Sequence, residues 1–188
     1  MINIIGGNKK NIKIDVPLFN VRPTSILKRK SIFSILENYE IKLKNNLLHN
    51  TVILDLFSGS GSLGLEALSR GSKYAYFIEK NEKIIKTLKE NCRKISNLEN
   101  YEIIKSNVYE EKFLNINKKI SLIFMDPPYN DKLIKLILVN IYKSKILKKN
   151  GIIVIEAAKK NKFEIPNFYY NFKKNLYKKT IIYFLKIK

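Results

Sequence analysis

The chain has 188 residues, a length that suits one domain with a sizeable core. Its formal net charge is +20, and its only cysteine, Cys92, excludes an internal disulfide and favours a reducing compartment. The sequence shows neither a signal-peptide pattern nor a stretch of roughly 18 apolar residues, so we expect a cytoplasmic protein that does not bind membranes.

The basic charge leaves two explanations open. A net charge of this size attracts polyanions such as nucleic acid. However, only four of the 36 basic residues are arginine, and asparagine and isoleucine are abundant as well. This bias is typical of an AT-rich coding background, which adds lysine without selection for binding. Residues that depart from the bias are therefore the informative ones, and four of the seven glycines fall within 59–71.

The N-terminal part of the chain predicts a hairpin and a helix. Residues 1–16 read as two short strands around Gly6-Gly7-Asn8, which is a turn signal. Residues 24–44 carry apolar side chains at roughly helical spacing. We expect residues 1–45 to form an extension in front of a core over 46–188, within a single domain.

From residue 51 onward, strand patterns alternate with helical ones. The predicted strands span 51–57, 74–79, 101–106, 120–126 and 151–157, and the predicted helices span 62–70, 82–95 and 132–143. Asn81 and Asp131 are expected to cap the last two of these helices. The tail from Tyr169 reads as two further strands with a turn near 174–179, which are too close in sequence for a crossover helix and must pair antiparallel.

Repeated strand–helix units define the expected fold class. They predict an α/β, doubly wound and mainly parallel sheet with helices on both faces and antiparallel strands at the C-terminus. Ligands of such sheets bind outside the carboxyl ends of the strands. The sequence motifs that we single out below all fall at such ends.

The first of these strands leads into Asp55-Leu-Phe-Ser-Gly59-Ser-Gly61-Ser-Leu-Gly64, which contains G-x-G-x-x-G. Glycines at this spacing let the backbone turn tightly and let a ligand lie against it, although a plain turn has the same pattern. NAD would place its pyrophosphate here, but the Asp55 carboxylate would repel that group. The acid suits a cationic ligand instead, namely the sulfonium and ammonium groups of S-adenosylmethionine (AdoMet).

The next two strand ends supply further candidate contacts for this cofactor. Glu79 closes the second strand, where a carboxylate can accept from both ribose hydroxyls, although a solvated glutamate would fit the pattern too. Asn107 follows the third strand and could bond the adenine amino group, or could be an ordinary loop asparagine. The residues expected to bind the cofactor are Asp55, Phe57, Gly59, Ser60, Gly61, Glu79, Lys80, Asn107 and Val108.

The fourth strand ends in Asp126-Pro127-Pro128-Tyr129. Two prolines stop the strand and leave carbonyls beside a carboxylate and an aromatic ring. Such carbonyl and carboxylate oxygens can accept the N–H bonds of an exocyclic base amine and free its lone pair, while the ring stacks on the extruded base. A simple strand terminator is the alternative, but the neighbouring glycine loop and Glu79 favour these four residues as catalytic.

Together these motifs resemble those of the RsmD-type methyltransferases. The likeness extends nearly end to end, through I-I-G-G at 4–7, R-P-T at 22–24, the loop at 55–71, D-P-P-Y at 126–129 and G-I-I-V-I-E at 151–156. The resemblance implies a class I, Rossmann-like, AdoMet-dependent enzyme that methylates the N2 amine of a guanine in bacterial 16S rRNA. The expected partner is this RNA or the small ribosomal subunit, and we expect a monomer.

The N-terminal extension is the expected RNA-binding part, with Arg22, Lys28 and Arg29 as candidate contacts. In the alternative interpretation the lysines are solvated and Arg22 pairs with a core acid. No Cys, His or acid spacing indicates a metal site. Other functions that stay open are an amino-methyltransferase for DNA or tRNA and a non-catalytic RNA-binding module, whereas an NAD dehydrogenase fits less well.

Overall fold

The computed structural model describes residues 1–17, 24–44, 46–110, 116–127, 133–160 and 163–188. The strands in these ranges are β1 Ile2–Asn3, β2 Lys13–Ile14, β3 Val52–Leu56, β4 Tyr74–Glu79, β5 Tyr101–Lys105, β6 Ile120–Met125, β7 Leu147–Ala158, β8 Tyr169–Leu176 and β9 Thr180–Ile187. The α-helices are α1 Ile26–Leu43, α2 Ser62–Ser69, α3 Glu82–Ile95 and α4 Ile134–Ser144. None of these helices is long and apolar enough to cross a membrane.

Within the described ranges, one sheet has the strand order β5-β4-β3-β6-β7-β9-β8. The five strands from β5 to β7 run parallel, whereas β9 is antiparallel to both β7 and β8. The structure thus confirms the doubly wound, mainly parallel sheet and the antiparallel tail. Because β9 inserts beside β7, the last strand of the chain lies inside the sheet and β8 forms its edge.

The central strands are apolar on both faces, as a sheet covered on both sides requires. All six residues of β6 are buried. Successive side chains of these strands enter different clusters: Ile53 and Phe124 pack with α1, α2 and α3, whereas Leu54 and Ile123 pack with α4. Helices therefore cover both faces of the sheet.

Local signals place most helix and strand ends. The Asn81 side chain accepts a hydrogen bond from the Lys83 N–H at 2.9 Å, which confirms the predicted cap of α3. The predicted cap of the next helix, Asp131, lies outside the described residues. The strand predicted from residue 151 begins earlier, at Leu147, because Leu147 pairs with Ile120 of β6. The intervening residues 148–150 are polar and exposed, and for this reason the sequence pattern missed them.

The N-terminal hairpin packs firmly on the rest of the molecule. The antiparallel pair β1–β2 confirms the predicted hairpin, and Ile4 and Ile14 are fully buried in the cluster that contains Phe33 of α1. The turn of the hairpin lies against the end of α2, where the Asn8 N–H donates to the Ser69 carbonyl at 2.8 Å. The hairpin is therefore anchored to the hydrophobic core through Ile4 and Ile14.

Candidate active site

A cavity of about 770 Å³ opens at the edge of the sheet where the parallel strands end. Its volume lies within the roughly 300–1,000 Å³ of small-molecule sites. The strand-end loops contribute Asp55, Phe57, Ser58, Gly59, Ser60, Glu79, Lys80, Asn81, Ser106, Asn107, Val108, Tyr109, Asp126 and Pro127. The opposite wall comes from Thr24, Ser25, Leu27 and Lys28, and the lining is completed by Glu156, Ala157 and Ala158 of β7 and by residues 177–180.

Asp55 lies at the bottom of the glycine loop and is almost fully buried. Its Oδ2 accepts a hydrogen bond of 2.9 Å from the N–H of Gly64, in the first turns of α2. Burial raises the pKa of Asp55 well above its ordinary value, the Gly64 N–H partly opposes this change in pKa, and the neighbouring acids Asp126 and Glu79 raise the pKa further. Asp55, Glu79 and Asp126 thus repel one another within the cavity, and a cation bound among them would relieve this repulsion.

Gly61 is absent from the residues that line the cavity, so its predicted contact with the cofactor stays a prediction. It begins α2 with a φ of 80°, and a Cβ at this position would lie 2.6 Å from Cδ1 of Leu88 in α3. The glycine is therefore required by the left-handed backbone and by the packing of α2 against α3. The backbone that faces the cavity is that of Gly59 and Ser60.

Glu79 is held by backbone N–H groups at the end of β4. Its Oε2 accepts from Gly59 at 3.1 Å, and its Oε1 accepts from Lys80 and Asn81 at 2.9 Å each. These bonds tie the glycine loop to the next strand end and fix the orientation of the carboxylate. Glu79 is buried, so it is not an ordinary solvated glutamate.

The loop after the third strand adds Tyr109, an aromatic residue that the sequence analysis did not name. The ring of Tyr109 lies 5.6 Å from the ring of Phe57, measured between centroids, and both residues line the cavity beside Val108. The Oδ1 of Asn107 accepts from the Tyr109 N–H at 3.3 Å, which holds the loop in a turn. Tyr109 could have been identified from the sequence, because it is an aromatic residue two positions after Asn107.

The fourth strand end brings Asp126 and Pro127 to the same cavity. The hydroxyl of Thr24, the last residue of R-P-T, donates to Oδ2 of Asp126 at 2.9 Å. Thr24 thereby connects the N-terminal segment to the D-P-P-Y motif. Pro128 and Tyr129 lie outside the described residues, so their predicted roles stay predictions.

Lys28 reaches the cavity one helical turn after Thr24. Its ammonium group forms an ion pair with Oε1 of Glu156, at the end of β7, and lies 5.8 Å from the centroid of the Tyr177 ring. The sequence analysis named Lys28 as an RNA contact but missed Glu156. The last residue of G-I-I-V-I-E is an acid that follows a buried strand, and this signal could have identified it.

Arg29 corrects one expectation from the sequence. Its side chain is fully buried, with Nη1 donating to the Asn3 carbonyl at 3.0 Å and lying 3.7 Å from the Glu66 carboxylate. A guanidinium in this position cannot contact RNA, so the predicted binding role of Arg29 is wrong. The arginine instead joins the hairpin, α1 and α2. Arg22, the other predicted arginine contact, lies outside the described residues.

The described residues contain no group of three or more His, Cys, Asp or Glu side chains that could hold a metal ion. The charged groups of the cavity are carboxylates and lysines, arranged along adjacent strand ends.

The fold and the position of the cavity define the class, which is that of α/β proteins with a doubly wound, Rossmann-like sheet. The structure of yhhF from Escherichia coli, assigned as a methyltransferase, has a TM-score of 0.82 at 24% identity and covers 100% of this chain and 98% of its own. SMU.776, assigned as a methyltransferase and solved with SAH, has a TM-score of 0.61 at 13% identity, covering 79% of this chain and 49% of its own.

The sequence comparisons identify the family. The profile of the family described as Conserved hypothetical protein 95 matches residues 2–186. The Ribosomal RNA small subunit methyltransferase D of Buchnera aphidicola subsp. Acyrthosiphon pisum is 37% identical over 183 residues, which are 96% of this chain and 87% of that protein. The chain belongs to this family, that of the RsmD-type methyltransferases, and the resemblance inferred from its motifs is confirmed.

Proposed function

We propose that this protein uses AdoMet to methylate the exocyclic N2 amine of a guanine in 16S rRNA, with the rRNA or the small ribosomal subunit as substrate. The observation that carries the proposal is that one cavity contains both the acids and loops expected to bind the cofactor and the Asp126-Pro127 strand end expected to bind the amine. The name of the Buchnera relative supports ribosomal RNA as the substrate.

The residues of the cavity fit AdoMet. Asp55 and the neighbouring acids match the positive charge of the sulfonium and ammonium groups, and Glu79 presents a fixed carboxylate for the ribose hydroxyls. Phe57, Val108 and Tyr109 provide apolar and aromatic surface for the adenine ring, next to Asn107. When bound, the cofactor supplies an electrophilic methyl group, and the structure of SMU.776 with SAH supports this choice of ligand.

The chain's own contribution to the transfer is to position and desolvate the amine. An exocyclic amine is a poor nucleophile, because its lone pair is delocalised into the base. We infer that the Asp126 carboxylate and the backbone carbonyl beside it accept the two amine N–H bonds and turn the lone pair toward the methyl group. After transfer the nitrogen is acidic and loses one proton, so a strong base is not required.

The test is to supply labelled AdoMet to small ribosomal subunits from a strain that lacks the gene, and to map the labelled nucleoside. We expect N2-methylguanosine at one position of the 16S rRNA with wild-type protein and none with Asp126→Asn. Asp15→Asn is the matched control, because Asp15 forms a partly exposed ion pair with Lys94 away from the cavity. Label on tRNA or on an adenine instead would contradict the proposed substrate.

A further inference from the structure

Glu156 is a second carboxylate beside the proposed amine site. Met125 of β6 pairs with Ile155 of β7 in parallel register, so Asp126 and Glu156 follow paired positions and extend from the same face of the sheet. On the opposite wall, Thr24 bonds Asp126 and Lys28 pairs with Glu156. One turn of the chain at the start of α1 thus contacts two acids on adjacent strand ends.

The two oxygens of Glu156 have different surroundings. Lys28 pairs with Oε1, whereas Oε2 is buried and has no hydrogen-bond partner within the part of the chain that the structure describes. A buried carboxylate oxygen without a donor is costly, so this oxygen calls for a partner. The Glu156 side chain lines the cavity, so a donor on a bound substrate is able to satisfy it after a small rotation of the carboxylate.

The Watson–Crick edge of guanine has the matching pattern. Next to its N2 amine, guanine carries an N1–H donor, whereas adenine carries an N1 acceptor next to its N6 amine. If the amine of the base lies at Asp126, its N1 position faces the carboxylate on the adjoining strand end. Guanine presents an N1–H donor to this carboxylate, whereas adenine presents the lone pair of N1. Extruded bases are commonly read by hydrogen bonds to this edge.

We propose that Glu156 determines the base specificity of the site by accepting the N1–H of the guanine whose N2 amine lies at Asp126. Lys28 compensates the charge of Glu156 and holds the carboxylate toward the cavity. This inference rests on the proposed guanine-N2 activity and adds to it a residue that reads the base. The two acids then have different roles, since Asp126 accepts from the reacting N2 amine and Glu156 accepts from the adjacent N1–H.

The experiment compares guanine with 2-aminopurine at the nucleotide mapped as above, in small subunits assembled from ligated rRNA. 2-Aminopurine keeps the N2 amine but has a bare N1 acceptor and no O6. Wild-type protein should prefer guanine in kcat/KM. Glu156→Gln carries an amide N–H that can donate to the bare N1, so its guanine preference should fall by at least about tenfold relative to wild type. Comparing this ratio between the variant and wild type cancels the difference in intrinsic reactivity between the two bases.

Glu164→Gln is the matched control, because it removes one carboxylate from an exposed ion pair with Lys135 outside the cavity. It should keep the wild-type preference, and both variants should keep the wild-type melting temperature and AdoMet affinity. If Glu156→Gln slows both substrates by the same factor, or slows neither, Glu156 only anchors Lys28 and the inference is wrong. If wild-type protein fails to methylate guanine at all, the proposed function itself is wrong, which is a distinct result.

Discussion

The hydroxyl of Thr24 lies 2.9 Å from Oδ2 of Asp126, although the two residues are 102 positions apart in the chain. Thr24 precedes α1 and is buried, so its hydroxyl has a fixed direction. A donor to one carboxylate oxygen fixes the rotation of the Asp126 side chain and thereby orients its other oxygen. Thr24 thus has a structural role at the proposed catalytic residue.

Replacing Thr24 by Val should therefore lower kcat while AdoMet affinity stays unchanged. Valine keeps the shape but removes the donor, and a misplaced catalytic group can reduce the rate by up to about 100-fold. Thr24→Ser should restore most of the activity, because it restores the hydroxyl. Single-turnover methylation of small subunits gives the rate, and calorimetry gives the AdoMet affinity. A Val variant with full kcat would show that Asp126 is oriented by other groups.

Replacing Asp55 by Asn should stabilise the protein at neutral pH and weaken AdoMet binding. The pKa of Asp55 is raised in the folded chain, so the folded state binds more protons and loses stability as the pH rises from about 3.8 toward the raised pKa. Asparagine keeps the size of the side chain but removes the buried charge that causes this loss. The gain in melting temperature should thus be present at pH 7.5 and should shrink toward pH 4.

The same variant should lose more affinity for AdoMet than for SAH, because SAH lacks the sulfonium charge that the Asp55 carboxylate attracts. Calorimetry with both ligands measures this difference, with Asp15→Asn as the control for a general change in charge. Equal losses for the two ligands would place the sulfonium elsewhere in the cavity.

RNA binding should depend on the exposed lysines at the rim of the cavity. Lys178 and Lys179, in the turn between β8 and β9, line the opening. Changing both to Gln should weaken rRNA binding and reduce the slope of log affinity against log salt by roughly one unit per lost phosphate contact.

The matched control for this pair is Lys148→Gln with Lys149→Gln. These two lysines are also adjacent and exposed, but they lie at the start of β7, at the opposite end of the strand from Glu156. Their replacement by Gln should leave both the rRNA affinity and the slope of log affinity against log salt near the wild-type values. If the two double variants lose affinity equally, the RNA responds to total charge and the rim has no special role.

Replacing Arg29 by Ala should destabilise the fold without reducing the RNA affinity of the folded protein. The change leaves a cavity, removes a partner of the buried Glu66 carboxylate and leaves the Asn3 carbonyl without this hydrogen-bond donor. We therefore expect a loss of about 3 kcal/mol in the free energy of unfolding. Urea unfolding measures this loss. Lys30→Ala, at the neighbouring exposed position of α1, should cost little. Unchanged stability with weaker RNA binding would instead support a direct contact between Arg29 and RNA.

The sequence by itself determined the sheet and the convergence of four candidate residues. Asp55, Glu79, Asn107 and Asp126 each follow an apolar run, and the carboxyl ends of parallel strands meet at one edge. This reasoning needs only local periodicity and the direction of the strands. It succeeded because strand patterns and turn residues are properties of a few consecutive residues.

Only the tertiary structure decided which basic residues of α1 face the cavity and which face the core. Lys28 and Arg29 are neighbours with the same charge, yet Lys28 reaches Glu156 and Arg29 is buried against Glu66. Apolar residues of α1 such as Leu27 and Ile41 are exposed, so the pattern does not mark one buried face. The burial of a charge depends on a partner distant in sequence, and the packing of β1, α2 and β7 around the helix supplies that partner.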